Sequence, residues 1–400
     1  MKDSGIDWIG EIPEEWKIIK TKYLLQINNG TDPKQEGDIP VYGSGDRVFK
    51  TCGEFKEPPA VLLGRKGTIE NAKYVNTRYW NVDTAFDAKP INDFLNLKFY
   101  YYCANSFDYK YYVSQTTLPS MTQSNYENMF IPLLNNSEQC FIVLYLDRQC
   151  THIDNIIEKT KTSIEEYKKL KQAVITQAVT KGIRGNREMK DSGIEWIGEI
   201  PVEWEVRRIK NLFTLRDERN NLPLSEVNLI SLYTDLGVVQ HSDLEKTSGN
   251  KASNADGYKL VYENDIVVNI ILCWMGAIGR SEYNGVTSPA YDVYIPSNNV
   301  ECRYYHHYFR TSGFSGDCYK RGRGIMAMRW RTYSDQFRDI SVLYPPLLEQ
   351  KEVLSYLDQK CTEIDAIITK KQQFLTEMES YKKSLIFECV TGKREVFQKL

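Results

Sequence analysis

The 400-residue sequence lacks any apolar run of 18 residues, so no segment is predicted to cross a membrane as a helix. Its first 16 residues, MKDSGIDWIGEIPEEW, lack the apolar core of a secretion signal and carry a net charge of −4. Nine cysteines occur without one CxxC pair, which is typical of free thiols in a reducing compartment. Together these absences predict a cytoplasmic protein.

Catalytic motifs are missing as well. The sequence has no GxxxxGK[ST] phosphate loop, no GxGxxG after a predicted strand, and only four histidines for acid–base chemistry. The nearest match to the Asn/Asp-Pro-Pro-aromatic motif of amino-methyltransferases, Glu57-Pro58-Pro59-Ala60, fails at both ends. Glu54 and Lys56 match half of a metal-dependent nuclease motif, with Asp38 or Asp46 upstream, but such a triplet is expected by chance in a chain with 26% charged residues.

A zinc site is a further candidate that the sequence supports poorly. Two cysteines and two histidines lie between residues 302 and 318, but they lack the close pairs of a zinc knuckle. Core or surface roles are therefore favoured, and no metal site is predicted. The four residues are Cys302, His306, His307 and Cys318.

What the sequence does contain is a duplication. Residues 1–16 and 189–204 are identical at 14 of 16 positions. A second pair follows, since YLDRQCTHIDNII at 145–157 returns as YLDQKCTEIDAII at 356–368. The chain is thus a head, a variable block and a tail, twice over, which predicts an internal pseudo-two-fold and a two-part partner.

Each tail has the periodicity of a coiled coil. Glycine and proline vanish from residues 138–180, and apolar residues recur at spacings of three and four. The second tail repeats the pattern, so the two helices are expected to pack on each other, ending near Gly182 and Gly392. The predicted packing residues are Ile153, Ile157, Ile164, Tyr167 and Val174 in one helix and Ile364, Ile368, Leu375, Met378 and Leu385 in the other.

Polar residues interrupt both seams at matching positions. Thr160 corresponds to Lys371, and Lys171 corresponds to Lys382. Such residues either fix the register of the helix pair or simply extend their side chains to solvent, and the sequence leaves both interpretations open.

The variable blocks alternate short β-like runs with Gly, Asp, Asn and Pro turns, which predicts irregular mixed α/β domains. In the first block we expect a helix around 92–106, and a capped helical turn within 118–129 followed by a strand. The predicted segments are a first domain with its head (1–137), a first long helix (138–182), a linker (183–188), a second domain with its head (189–348), a second long helix (349–393) and a tail (394–400).

Basic, glycine-flanked loops are the best candidates for a binding site. Residues 320–331 hold four arginines within eleven positions beside Trp330, which favours nucleic acid over a solvated face. Residues 64–68 alone favour a hairpin turn with solvated charges, and residues 115–123 suit base edges and a capped helix start equally well. The candidate DNA contacts are Arg47, Arg65, Lys66, Thr68, Gln115, Thr117, Ser120, Gln123, Lys320, Arg321, Arg323, Arg329 and Arg331.

In combination, these motifs resemble the specificity (S) subunit of a type I restriction–modification enzyme, over the full length. The resemblance is carried by WIGEIPEEW and WIGEIPVEW, GRKGT with WNVDTAF, VTSPAYDVY, RGRGI with RWR, PPLLEQ, and the two YLDxxCTxID helices that end in VTKG and VTGK. It departs at 131–139, where IPLLNNSEQ replaces the usual PPLLEQ, and at 273–276, where CWMG replaces a more polar loop.

The resemblance implies an α/β fold of α+β character, with two target recognition domains separated by an antiparallel pair of long coiled-coil helices. Each domain would read one half of a split double-stranded DNA target, and the helices would set the gap. The chain itself would be non-catalytic. Two modification subunits and the restriction subunits would join it, bringing S-adenosylmethionine, ATP and Mg.

Two other hypotheses remain open at this point. One is a coiled-coil scaffold whose two domains bind proteins, which the arginines of 320–331 argue against. The other is a self-contained nuclease that uses Glu54 and Lys56.

Overall fold

A computed structural model describes residues 1–45, 47–113, 119–241, 254–324 and 330–396. The chain divides into two compact units: Met1–Thr162 with Lys371–Leu400, and Ser163–Lys370. Each unit combines one β-rich domain with parts of two long helices, and each is described by itself below.

The first unit is built on the antiparallel sheet β4-β10-β7-β8, with the small sheets β1-β2, β11-β3 and β6-β5-β9 around it. Strand β7 is buried along its whole length because it lies inside this sheet and reads AVLLG. The strands are β1 (Lys2–Asp3), β2 (Glu11–Ile12), β3 (Lys17–Lys20), β4 (Leu25–Asn29), β5 (Ile39–Tyr42), β6 (Lys50–Cys52), β7 (Ala60–Gly64), β8 (Lys73–Val75), β9 (Trp80–Asn81), β10 (Ala85–Pro90) and β11 (Phe130–Leu133).

Two short helices of this domain confirm the sequence predictions. Helix α1 (Leu97–Ala104) begins at Asn96, whose side chain accepts from two backbone amides of its first turn. Helix α2 (Gln123–Asn128) is capped by Thr122 and leads into β11.

The second unit repeats this plan with the sheet β15-β22-β19-β20. Its strands are β12 (Met189–Asp191), β13 (Glu199–Pro201), β14 (Glu205–Arg208), β15 (Phe213–Leu215), β16 (Ile230–Tyr233), β17 (Gly237–Gln240), β18 (Lys259–Val261), β19 (Ile266–Asn269), β20 (Ile278–Arg280), β21 (Gly285–Thr287), β22 (Tyr291–Pro296) and β23 (Ser341–Tyr344). Its short helices are α4 (Cys302–Phe309), α5 (Ser312–Arg321) and α6 (Ser334–Arg338). It has 3-10 turns at Ile209–Asn211, Leu224–Glu226 and Cys273–Met275, and the first unit has such turns at Thr21–Tyr23 and Tyr109–Tyr111.

Two long helices complete the fold. Helix α3 (Asn136–Lys181) has 46 residues and α7 (Leu347–Val390) has 44, so each is roughly 65–70 Å long. A glycine with positive φ follows the last residue of each helix within two positions, Gly182 after α3 and Gly392 after α7, which confirms the predicted stops. None of the helices in the described ranges is long and apolar enough to span a membrane.

The two long helices pack on each other in opposite chain directions. In the first unit the seam residues Ile153, Ile157 and Leu385 are buried, and in the second unit Ile164, Ile364 and Ile368 are buried. Of the other predicted packing residues, Tyr167, Val174, Leu375 and Met378 are half-buried.

The polar residues of the seam form interhelical ion pairs. In the second unit, Lys171 Nζ lies 2.7 Å from a carboxylate oxygen of Asp365. In the first unit, Lys382 Nζ lies 2.6 Å from Asp154. Both lysines are half-buried, so they cross the seam rather than extend to solvent. Thr160 instead donates to the Ile156 carbonyl of its own helix, at 2.8 Å.

Each head copy is held by a lysine at the end of a long helix or just beyond it. In the first unit, Lys393 Nζ donates to the Ile9 carbonyl at 2.7 Å, and in the second unit Lys181 Nζ donates to the Ile197 carbonyl at the same distance. Ile9 and Ile197 are the same position of the duplicated head. The two copies of the head therefore make the same contact, one in each unit.

The second head has an additional anchor from the linker. Arg187 Nη2 lies 2.6 Å from Glu349 Oε1, and both side chains are nearly buried. The other carboxylate oxygen of Glu349 accepts from Trp204 Nε1 at 2.8 Å, and the Arg187 guanidinium lies 5.6 Å from the centre of the Trp204 ring. The corresponding carboxylate of the first unit, Glu138, caps the start of α3 through the Asn135 backbone amide.

Candidate nucleic-acid interface

In the first unit, the loop after β7 presents two cations on a tightly folded backbone. A Cβ on Gly64 would lie 2.2 Å from the Thr68 carbonyl, so only glycine allows the loop to turn back so closely. The Arg65 amide donates to the Thr84 carbonyl at 2.8 Å, and its guanidinium donates to Asp83 O at 3.3 Å. Lys66 precedes Gly67, whose φ is +81°, and the Lys66 side chain is exposed.

The segment before α2 pairs with this loop. Gly67 N donates to the Pro119 carbonyl at 3.0 Å, and Met121 N donates to the Arg65 carbonyl at 2.9 Å. Lys66 and Ser120 thus face each other across an isolated β-bridge. The structure therefore brings the predicted residues of 65–68 together with Ser120, while Gln115 and Thr117 lie outside the described residues.

Gln123 and Arg47 lie at the edges of this group. Gln123 opens α2, and its side-chain oxygen accepts weakly from Asn29 at 3.5 Å. Arg47 is exposed in the loop between β5 and β6. That loop approaches the basic loop, since a Cβ on Gly67 would lie 3.6 Å from Ser44 Oγ.

The second unit builds the same junction with different side chains. Thr332 N donates to the Ile270 carbonyl at 2.9 Å, which repeats the bond from Met121 to Arg65. Arg323 and Arg331 exchange backbone hydrogen bonds of 2.8 and 2.9 Å, so the two ends of the basic segment meet. Arg323 is exposed and lies 3.9 Å from Asp335, a distance that leaves its guanidinium largely in solvent.

An aromatic stack supports this basic segment. The rings of Trp330 and Tyr319 are stacked with centroids 4.9 Å apart, and the Trp274 ring is tilted against Tyr319 with centroids 5.6 Å apart. Trp330 Nε1 donates to the Tyr319 carbonyl at 3.2 Å. Gly322 is required below the stack, since a Cβ there would lie 2.3 Å from Trp330 Nε1.

The remaining cations of the second segment differ in their surroundings. Lys320 forms an exposed ion pair with Glu195 of the second head, at 2.9 Å, which raises the pKa of the lysine and lowers that of the carboxyl. Arg321 is exposed at the end of α5, and Arg331 is half-buried. Arg329 lies outside the described residues.

Sequence reasoning missed Arg310, which holds two loops of this domain. Its Nη2 donates to the carbonyls of Thr234 and Asp235, both at 2.8 Å, and its Nη1 donates to Ile278 O at 3.2 Å and Gly276 O at 3.5 Å. Burial lowers the pKa of this guanidinium. A lone arginine at the end of a short helix gave no signal, because its carbonyl partners are set by tertiary structure.

The residues of the nuclease hypothesis have structural partners instead. The Glu54 carboxylate accepts from the backbone amides of Lys34 and Gln35, at 2.6 and 3.0 Å, and these bonds lower its pKa. Lys56 pairs with the buried carboxylate of Asp87. Asp46 lies outside the described residues.

The zinc candidates are not gathered into a site. Within the ranges that the structure describes, no three His, Cys, Asp or Glu side chains are grouped so as to hold a metal ion. His306 Nδ1 accepts from the Arg280 backbone amide at 3.2 Å, and Cys302 and Cys318 are buried in the second core.

Comparisons with known proteins agree on one family. A family model for the type I restriction modification DNA specificity domain matches residues 13–166 and 201–377. The chain is 20% identical to the EcoDI specificity subunit of the type I restriction enzyme from Escherichia coli, over 96% of this chain and 90% of that protein. It is 25% identical to the putative type I restriction enzyme MjaX specificity subunit of Methanocaldococcus jannaschii, over 97% and 96%.

Solved structures share the fold. A chain from a structural study of complex assembly and conformational transition of the type I R-M system matches with a TM-score of 0.69 at 13% identity, covering 96% of this chain and 100% of that one. The HsdS subunit from Thermoanaerobacter tengcongensis matches with a TM-score of 0.53 at 14% identity, covering 98% and 100%. These likenesses confirm the mixed α/β architecture of two β-rich domains and two packed long helices.

Proposed function

The chain belongs to the type I restriction–modification DNA specificity family, and from that premise we propose that it reads a bipartite double-stranded DNA target through two recognition domains. As a specificity subunit it is non-catalytic and confers DNA specificity on its complex. The recognition domains extend over residues 1–137 and 189–348, including their heads. The linker 183–188 and the tail 394–400 complete the chain.

The observation that carries this proposal is that one architecture occurs twice with different side chains at its loops. The sheets β4-β10-β7-β8 and β15-β22-β19-β20 have the same order, and the loop after the third strand of each pairs with a later segment. The first loop carries Arg65 and Lys66, and the second junction carries Arg323 and Arg331. Two recognition domains that bind different half-sites require the same backbone architecture but different side chains at the DNA surface.

The long helices, 138–182 and 349–393 as the sequence predicts them, act as the spacer between half-sites. A stiff spacer makes two weak half-site contacts act as one bivalent event only when the DNA gap matches. The ion pairs Lys171–Asp365 and Lys382–Asp154 support this role, because charged pairs across a seam favour one register.

Other subunits supply the chemistry in this proposal. Two modification subunits dock on the duplicated heads and tails and transfer the methyl group of S-adenosylmethionine to adenine, and restriction subunits use ATP and Mg for translocation and cleavage. The related chain of the type I R-M system that shares this fold comes from a study of complex assembly, which supports such partners. The complex would act in the cytoplasm, where the host DNA lies.

The test is a salt titration of DNA binding by the chain assembled with modification subunits. Arg65→Ala and Arg331→Ala each remove one cation. We therefore expect the negative slope of log K against log salt to become shallower by about 0.9 for each phosphate that the variant no longer neutralises. Arg184→Ala is the matched control, because Arg184 is exposed in the linker and already paired with Glu352 at 2.7 Å. Wild-type affinity and slope in both variants would contradict the assignment of these contacts.

A further inference from the structure

The loops after β7 and β19 occupy the same place in the two sheets but differ in polarity. Each contains a glycine with strongly positive φ, Gly67 at +81° and Gly276 at +88°. The residue before that glycine is Lys66 in the first domain and Met275 in the second. Met275 is 53% exposed, so the second domain presents a thioether where the first presents an ammonium group.

Met275 is held in place rather than carried on a loose loop. It ends the 3-10 turn Cys273–Met275, and its amide donates to the Leu272 carbonyl at 2.9 Å. Cys273, which begins this turn, is buried, and Arg310 donates to the carbonyls of Ile278 at 3.2 Å and Gly276 at 3.5 Å. An exposed apolar side chain on a fixed backbone is suited to contact a partner without a large cost in ordering.

The surroundings of Met275 are mixed in polarity. Met275 and Trp274 line an open groove of about 1340 Å³, whose walls include Gln172 and Gln177 of α3 and Thr234 of the β16–β17 turn. Through Tyr319 the same aromatic stack leads to Trp330 and so to the basic segment. The apolar tip is therefore continuous with the surface that carries Arg323 and Arg331.

We infer that Met275 contacts the C5-methyl group of a thymine in the major groove of the second half-site. In that groove, thymine is the base whose edge carries a methyl group among polar atoms, and an apolar side chain is its natural contact. Amides and arginines nearby bind the neighbouring polar atoms and phosphates. This inference rests on the proposed function, since it assigns one base contact within the second recognition domain.

The experiment uses the chain assembled with modification subunits and its target, obtained by selection from a random duplex pool. Each thymine of the target is replaced singly by uracil, which lacks only the methyl group. Burial of one methyl corresponds to about a 4-fold change in affinity, so one uracil is expected to weaken wild-type binding by roughly 3- to 5-fold. Met275→Ala is expected to lose that penalty, whereas Met275→Leu is expected to keep it.

Lys66→Ala in the first domain is the matched control. It should weaken binding with a changed salt slope and leave the uracil penalty intact. The inference is overturned if no uracil weakens wild-type binding, if the penalty persists in Met275→Ala, or if Met275→Ala weakens association with the modification subunits instead of DNA. The proposed function is judged separately, from the wild-type chain. It stands if wild-type binding depends on salt and requires both half-sites, and it fails if wild-type binding has neither property.

Discussion

The buried pair Arg187–Glu349 provides the sharpest prediction for stability. The two side chains are 12% and 3% exposed, and Trp204 donates to the same carboxylate. Glu349→Gln keeps the volume and an oxygen for Trp204 but leaves the Arg187 guanidinium buried without its counter-charge. Removing one partner of a buried ion pair typically costs about 3–5 kcal/mol.

The duplicated first unit supplies the matched control. Glu138 occupies the position of Glu349 in the repeat but is partly exposed and accepts from the Asn135 amide at 3.3 Å. Glu138→Gln weakens only this helix cap, so we expect a cost of about 0.5–1 kcal/mol. The difference between the two variants isolates the effect of the buried charge.

Two measurements report the effect. Calorimetry should show the transition of the second unit lowered by roughly 6–20 °C in Glu349→Gln, at about 2–4 °C for each kcal/mol in a unit of this size. Amide hydrogen exchange should accelerate in residues 189–204 and stay unchanged in residues 1–16. The double variant Arg187→Gln with Glu349→Gln should recover much of the loss, because no unpaired charge remains. Equal effects of Glu349→Gln and Glu138→Gln would refute this reasoning.

The helix seam, the buried His306 and the carbonyl contacts of Arg310 can each be tested by substitution. Lys171→Asp should destabilise the helix pair by about 1 kcal/mol in denaturant unfolding. Adding Asp365→Lys should restore the stability, because this partly exposed ion pair is re-formed with its charges exchanged. A double variant no more stable than the single one would contradict the pair. The pKa of His306 is lowered from an ordinary 6.5 to about 3, mainly by burial and next by the charge of His307. The unfolded chain therefore takes up this proton first, and stability should fall as pH drops from about 6.5 towards 3. His306→Gln should flatten that part of the stability–pH profile. An unchanged profile would count against the role of His306. Arg310→Lys should loosen the turn at Thr234–Asp235, because a lysine cannot donate to four carbonyls at once. The expected readout is faster amide exchange in residues 234–236. Unchanged exchange there would argue against this role of Arg310.

The periodic and duplicated parts of this protein are the ones that sequence alone could predict. The 3.5-residue spacing identifies Ile153 and Ile364 as seam residues because burial on a helix depends only on position along it. The helix stops at Gly182 and Gly392 follow from the same local logic.

Partners distant in sequence were not predictable in the same way. Lys171 was visible as a polar residue in the seam, but its partner Asp365 is 194 positions away and is fixed by the register of two helices. The basic segment 320–331 predicts Lys320 as a DNA contact, and the ion pair of Lys320 with Glu195 of the second head could not be predicted from the sequence. Arg310 stands alone in sequence, and its four carbonyl partners meet only after the sheet and hairpin form.

The proposed role of the long helices is to set the gap between the two half-sites. Counting inwards from the Asp154–Lys382 pair, residues 160–166 of α3 correspond to residues 370–376 of α7, so deleting both segments removes one matched heptad. Seven residues at 1.5 Å shorten the spacer by about 10 Å, or about three base pairs of DNA at roughly 3.4 Å each. Selection from a random duplex pool should return the same half-sites with a gap shorter by about three base pairs, and an unchanged gap would contradict the claim.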